Sequence, residues 1–325
     1  MSRNLKRWLL LVSRIVISVL LIWWVFSTID PGQLEDQLSR SSPLLIVLAF
    51  GVLLFGNFVG VAQWLVFLKG AHIPIGFGRA AVYYFTGLFF NNFFFSSVGG
   101  DAVRVFEVTR GEKKETGRVL ACIFVDRIFG LLCLLLTGNL ALLVFALQGY
   151  PVGPAVLVGY AAVDATVLVG LLCFLSRRVR LFFYWFAKRL PGRRFRLGVF
   201  HFLQVLSGYR AGWRIFLRAL PWGLANQLLR MFSALLVSLA LGHGSAAIAP
   251  LLCFLLVPLL GIIKVLPLSV MGVGPAEFAG KHMFSAAGVA VPLSLSFLLF
   301  NQLLVTGINL LGGLFFLFRR VKEND

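Results

Sequence analysis

Five cationic side chains, Arg104, Arg127, Arg230, Lys264 and Lys281, and four acidic ones, Asp101, Asp126, Asp164 and Glu277, stand in or beside stretches that are otherwise apolar. An ionised group at membrane depth is expensive, so each implies a partner or a function. Arginine carries a planar fork of donors that matches the oxygens of a phosphate. Arginine and aspartate can equally form a structural network that fixes helix register. For Asp126 with Arg127 the two readings weigh about evenly, and a carboxylate such as Glu277 or Asp126 with a raised pKa would also suit proton coupling. If all nine groups pair among themselves one cation is left over, and an anionic ligand would neutralise it.

Spacing narrows the choice. Asp101, Arg104, Glu107 and Arg110 follow one another at i+3 steps, so neighbours of alternating sign share a helix face. Asp126 and Arg127 lie 8 and 9 residues beyond Arg118, roughly 12 Å into a helix. Arg230, a turn after Asn226 and Gln227, lies 12 residues beyond Arg218, roughly 18 Å along. The glycines beside these charges, Gly99 and Gly100 in "SSVGGD" and Gly272 and Gly274 in "SVMGVGPAE", break the apolar runs. Helix N-termini at Gly100 and Gly274 would offer backbone N–H groups to an anion. The candidate substrate-binding set is therefore Gly99, Gly100, Asp101, Arg104, Asp126, Arg127, Arg230, Lys264, Gly272, Gly274 and Glu277. Asn91, Asn92, Asn301, Gln302 and Asn309 are expected to bond between helices.

The elements that must hold these residues are transmembrane helices. The 325-residue chain is 59% hydrophobic and 13% charged, with a mean hydropathy of +0.93, beyond the range of soluble domains. Its net charge of +18 would suggest nucleic acid in a soluble chain. Here the basic residues sit between apolar runs, which points to anionic lipid and away from nucleic acid. Cys122, Cys133, Cys173 and Cys253 show no paired or metal-ligand spacing and the four histidines are scattered, so no cofactor, metal or catalytic group is expected.

Apolar runs of spanning length lie near the N-terminus and at 43–67, 118–146, 154–175, 215–241, 247–267 and 294–318, with interrupted ones at 79–98 and 269–292. The expected fold is an all-α polytopic membrane protein of about 7 spanning helices and two re-entrant or broken hairpins, in a single domain. Arg3, Lys6 and Arg7 put the N-terminus inside, the acidic loop around Asp30, Glu35 and Asp36 outside, and "RRVK" at 319–322 the C-terminus inside. Residues 176–218 carry eleven basic residues and no acid. That segment reads as cytoplasmic, with "LFFYWFAKRL" a helix in the headgroup layer. The basic regions around Lys69 to Arg79 and Arg110 to Arg118 must both be inside, so the apolar stretch between them enters the membrane and returns. The two glycine breaks, about half the chain apart, fit a repeat whose broken helices build a transporter's binding site.

"GGDAVR" (Gly99 to Arg104), "DRIFG" (Asp126 to Gly130) and "PLSVMGVGPAE" (Pro267 to Glu277), in this order, resemble the lysylphosphatidylglycerol synthase transmembrane family over nearly the whole chain. Phe95 stands where that family commonly has proline, and Pro275-Ala276 where a basic residue often precedes the glutamate. The resemblance implies a non-enzymatic, flippase-like role in moving an anionic phospholipid or polyprenyl-linked lipid, and a multi-pass place in a bacterial cytoplasmic membrane. The lysyl-transferring soluble domain of larger relatives is absent from the sequence, so aminoacylation does not carry over. A membrane transferase acting on a lipid-linked substrate and a secondary transporter of a small anion are the alternatives.

The topology has a direct check. Single cysteines at Ser42 and Lys113 should be labelled from opposite faces of the membrane by an impermeant maleimide; labelling from one face would remove the re-entrant hairpin.

Overall fold

Backbone groups in hydrocarbon must be satisfied within their own segment, and an apolar chain answers with helices. The computed structural model describes residues 41–92, 97–149, 153–189, 192–241, 248, 250–265 and 275–322. In these the regular elements are all α-helices: α1 (Pro43–Gly70), α2 (Phe77–Asn91), α3 (Ser97–Glu112), α4 (Thr116–Leu147), α5 (Pro154–Leu175), α6 (Arg177–Arg189), α7 (Arg193–Ala211), α8 (Arg214–Leu241), α9 (Pro250–Val265), α10 (Pro275–Ala286) and α11 (Val291–Lys322). The expected N-terminal helix, the acidic loop with Asp30, Glu35 and Asp36, and both Gly272 and Gly274 lie outside the described residues. Met1–Pro43 and Leu44–Asp325 form separate compact units, and apart from Pro43 itself the helices α1 to α11 belong to the second.

Proline opens α1, α5, α9 and α10, where its missing N–H would be unpaired in any case. Among the described helices, α1, α4, α8 and α11 contain stretches long and apolar enough to cross a membrane. On α1 and α4 large apolar side chains such as Leu44, Phe55, Leu140 and Leu143 face outward, as acyl chains permit and water does not.

Of the remaining helices, α5 has 22 residues and coincides with the run expected at 154–175, while α2, α3, α9 and α10 have 12 to 16. Within the run expected to span at 247–267, residues 250–265 form α9, 16 residues and about 24 Å of helix. Leu266 and Pro267, which follow Val265, lie outside the described residues. The interrupted stretch at 79–98 is a pair of helices, α2 of 15 residues and α3 of 16. Glycine was expected to sit at the break itself. The helix begins earlier, at Ser97, with Gly99 and Gly100 in its first turn.

The two arms return to one end. Glu112, at the close of α3, accepts hydrogen bonds from Arg79 at 3.0 and 3.1 Å and from the Tyr83 hydroxyl at 3.1 Å, both near the start of α2. Lys113 then turns the chain with a positive φ of 50° into α4. At the same end the Arg118 guanidinium donates to the Ala71 carbonyl, and Gly70 abuts Ile215. α1 and α8 run antiparallel, since Gly70 meets Ile215, Gly56 meets Leu229, and the Ser233 hydroxyl donates to the Ala49 carbonyl at 2.8 Å.

Each short pair leans on a long helix from the other part of the chain: α2 packs on α3 and α11, and α9 packs on α10 and α4. In the basic segment α7 packs on α4, and α6 turns Leu181, Phe182, Trp185 and Phe186 outward.

The α2–α11 contact is close enough to require glycine. A methyl group on Gly312 would be driven into the Phe85 carbonyl, whereas one on Gly170 of α5 would meet open space. Gly312→Ala should lower stability by about 1–3 kcal/mol, read as a fall in thermal midpoint in detergent. Gly170→Ala should not lower it.

Candidate functional site

Arg104, two turns into α3, is 5% exposed. Its guanidinium lies 4.1 Å from the Trp64 ring centroid on α1 and 4.7 Å from that of Tyr84 on α2, so aromatic faces meet the cation on two sides. Its Nη1 donates to Asp101 Oδ1 at 3.3 Å, one turn back on α3, and its Nη2 stands 3.6 Å from Asp126 Oδ2 on α4. Nε and Nη2 have no hydrogen-bond acceptor; the ring faces and the Asp126 charge compensate them in part. Gly87 on α2 makes room for this stem, because a side chain there would strike Arg104 Cγ.

The pairing extends in both directions. Arg127 grips Asp101 bidentately, Nε to Oδ2 at 2.8 Å and Nη2 to Oδ1 at 2.9 Å. Asp126 accepts a 2.8 Å hydrogen bond from Gln63 Nε2 on α1. A chain of polar contacts thus runs Arg127, Asp101, Arg104, Asp126, Gln63 across α4, α3 and α1. Its two cations and two anions cancel. Desolvating one unpaired ion here would cost several kcal/mol. Accessibility differs within the chain: the side chain of Arg104 is 6% exposed and that of Arg127 is 37%.

Among the described side chains of the nine, four gather and balance one another locally, and the others lie elsewhere. Asp101, Arg104, Asp126 and Arg127 come together. Asp164 on α5 accepts instead from Asn139 of α4 at 3.0 Å. Lys264 donates to Gln302 at 2.8 Å, and Lys281 is half-buried on α10. Arg230 lies on the exposed side of α8, while its neighbours Asn226 and Gln227 turn inward and Gln227 donates to the Gly130 carbonyl at 3.1 Å. Gly100 is part of the hairpin, but its N–H is taken by Asn91 Oδ1 at 3.0 Å, so it is not the open anion donor expected. Glu277 is the third residue of α10, and its side chain, with Gly272 and Gly274, is outside the described set.

The polar residues near the breaks supply what was expected of them. Asn91 ties the two arms of the first hairpin. Asn309 on α11 donates to Asn92 Oδ1 at 2.8 Å, and Gln302 on the same helix holds Lys264. Asn301 differs, donating within its own helix to Phe297. Gln302 and Asn309 are seven residues apart, two turns and about 10 Å along one face of α11. The end of α2 and the end of α9 therefore meet the same face of α11.

Three members of the site carry no charge and went unmarked in the sequence. Gln63 is a lone amide in an apolar run, which is a legible signal. Trp64 and Tyr84 look like core aromatics until the fold sets Arg104 between them.

A family described as the lysylphosphatidylglycerol synthase TM region matches residues 11–313. A UPF0104 membrane protein of Pyrococcus horikoshii is 24% identical over 341 aligned residues, covering 97% of this chain and 98% of that protein. No solved structure gives a significant match.

Removing one buried partner strands the others. Arg104→Met should destabilise the protein by about 3–5 kcal/mol, and adding Asp126→Leu should recover part of that loss, measured as a double-mutant cycle on unfolding in mixed micelles. A single variant as stable as the parent would mean that the cluster contributes nothing to the fold.

Proposed function

We propose a lipid-translocating role for this chain, which belongs to the lysylphosphatidylglycerol synthase TM region family. It is a multi-pass membrane protein, and on this reading its substrate is an anionic phospholipid or polyprenyl-linked lipid whose headgroup crosses between two re-entrant hairpins. The observation that carries the reading is the meeting of the ends of α2 and α9 on the Gln302–Asn309 face of α11, with Asn91, next to Asn92, bonded to Gly100 next to Asp101 of the cluster.

The element lengths support a repeat. A 28-residue helix, two short ones and a 32-residue helix occur as α1 to α4 and again as α8 to α11. The antiparallel run of α1 against α8, and the seating of each hairpin on the other half's long helix, fit an inverted repeat with its site at the repeat interface. Lys69, Arg79, Arg110, Lys113, Lys114 and Arg118 gather at the hairpin base, which we assign to the cytoplasmic side together with both termini, in a cytoplasmic membrane. The role is carriage without covalent chemistry: Asp101 and Asp126 are engaged by arginine and not arranged as free acid, base or nucleophile.

In proteoliposomes, fluorescently labelled phosphatidylglycerol in the inner leaflet should become reducible by external dithionite faster with the protein than without, and Arg127→Gln should remove that gain. Consumption of a lipid-linked sugar with no lipid exchange would favour the transferase. Phosphate uptake with no lipid exchange would favour a small-anion transporter.

A further inference from the structure

We propose that the Asp101 carboxylate occupies the phosphate position of the substrate headgroup and that Arg127 passes from one oxyanion to the other during transport. This rests on the lipid-carrier reading and adds the residue and the exchange by which the headgroup is held.

The two arginines of the cluster carry equal charge in unequal surroundings. Arg104 is closed in by Trp64, Tyr84, Asp101 and Asp126. Arg127 has 37% of its side chain exposed and presents its fork to two oxygens of one carboxylate at 2.8 and 2.9 Å. Phosphate accepts the same fork in the same bidentate manner. Exchange at Arg127 leaves no ion stranded: a released Asp101 keeps Arg104 Nη1 at 3.3 Å, and Asp126 keeps Gln63. Arg104 is the fixed counter-charge, and Arg127 the movable one. With Asp101 in place the binding-competent fraction is small, which weakens apparent affinity in proportion.

The experiment is a binding titration of the full-length protein in zwitterionic nanodiscs. Dihexanoyl phosphatidylglycerol, dihexanoyl phosphatidylcholine and inorganic phosphate serve as separate probes. Asp101→Asn should tighten phosphatidylglycerol binding about tenfold or more. Asp126→Asn makes the same change in net charge beside the closed-in Arg104 and should leave affinity near that of the parent. Arg127→Lys, which cannot offer the fork, should weaken it about tenfold. Tightening for both the lipid and inorganic phosphate upholds the exchange with phosphate alone as the recognised group; tightening confined to phosphatidylglycerol upholds it with the headgroup as source. No tightening in Asp101→Asn, or equal tightening in Asp126→Asn, overturns it. If Asp101→Asn does not fold, unchanged binding in Arg127→Lys overturns it instead. Leaflet exchange measured in parallel separates the two readings: transport with no effect of Asp101→Asn on binding defeats the exchange alone, and tightened binding with no transport by the parent defeats the carrier alone.

Discussion

A guanidinium buried inside a protein has few acceptable surroundings, and Arg104 finds two carboxylates and two aromatic faces. Those partners come from α1, α2, α3 and α4, so the ion can be satisfied only when all four helices are docked. With Arg104 only 5% exposed, the penalty for a missing partner is several times larger than for a surface pair. The cluster thereby acts as a register device. α3 cannot slide by a turn on α4 without separating Asp101 from Arg127 and Arg104 from Asp126.

The same constraint explains the glycines around it. The α2–α3 arms must approach closely for Tyr84 to reach Arg104, and Gly87 and Gly100 face each other where they do: a side chain on Gly100 would collide with the Gly87 carbonyl. Closeness brings backbone polar groups together, and Asn91 satisfies one of them through the Gly100 N–H. At the other end of the hairpin Arg79 and Tyr83 hold Glu112. Two short helices that could not cross a bilayer separately are made one unit by polar contacts at both ends.

Long and short helices divide the work. The long ones supply apolar outer surface and a frame, and a polar face on α11 receives the ends of both short pairs. The internal network of Asp101, Arg104, Asp126 and Arg127 is neutral, so it holds ions inside the protein without a standing field of either sign.

Composition alone determined that the chain is a helical membrane protein. Local chemistry marked the neighbourhood of the first hairpin: the glycines at 99 and 100 fall in the first turn of its second arm. The i+3 ladder gave the Asp101–Arg104 pair, since that contact is internal to one helix. What the tertiary structure decided is every contact between helices. α1 and α4 are apolar nearly all the way round, so no periodicity marks their inner faces. Nothing local distinguishes Arg127, drawn inward by an acid 26 residues away, from Arg230, which faces out. Nor can spacing reveal that Trp64 and Tyr84 would close over a cation. Those outcomes depend on helix rotation, and rotation is set by which polar groups can be satisfied together once the helices meet.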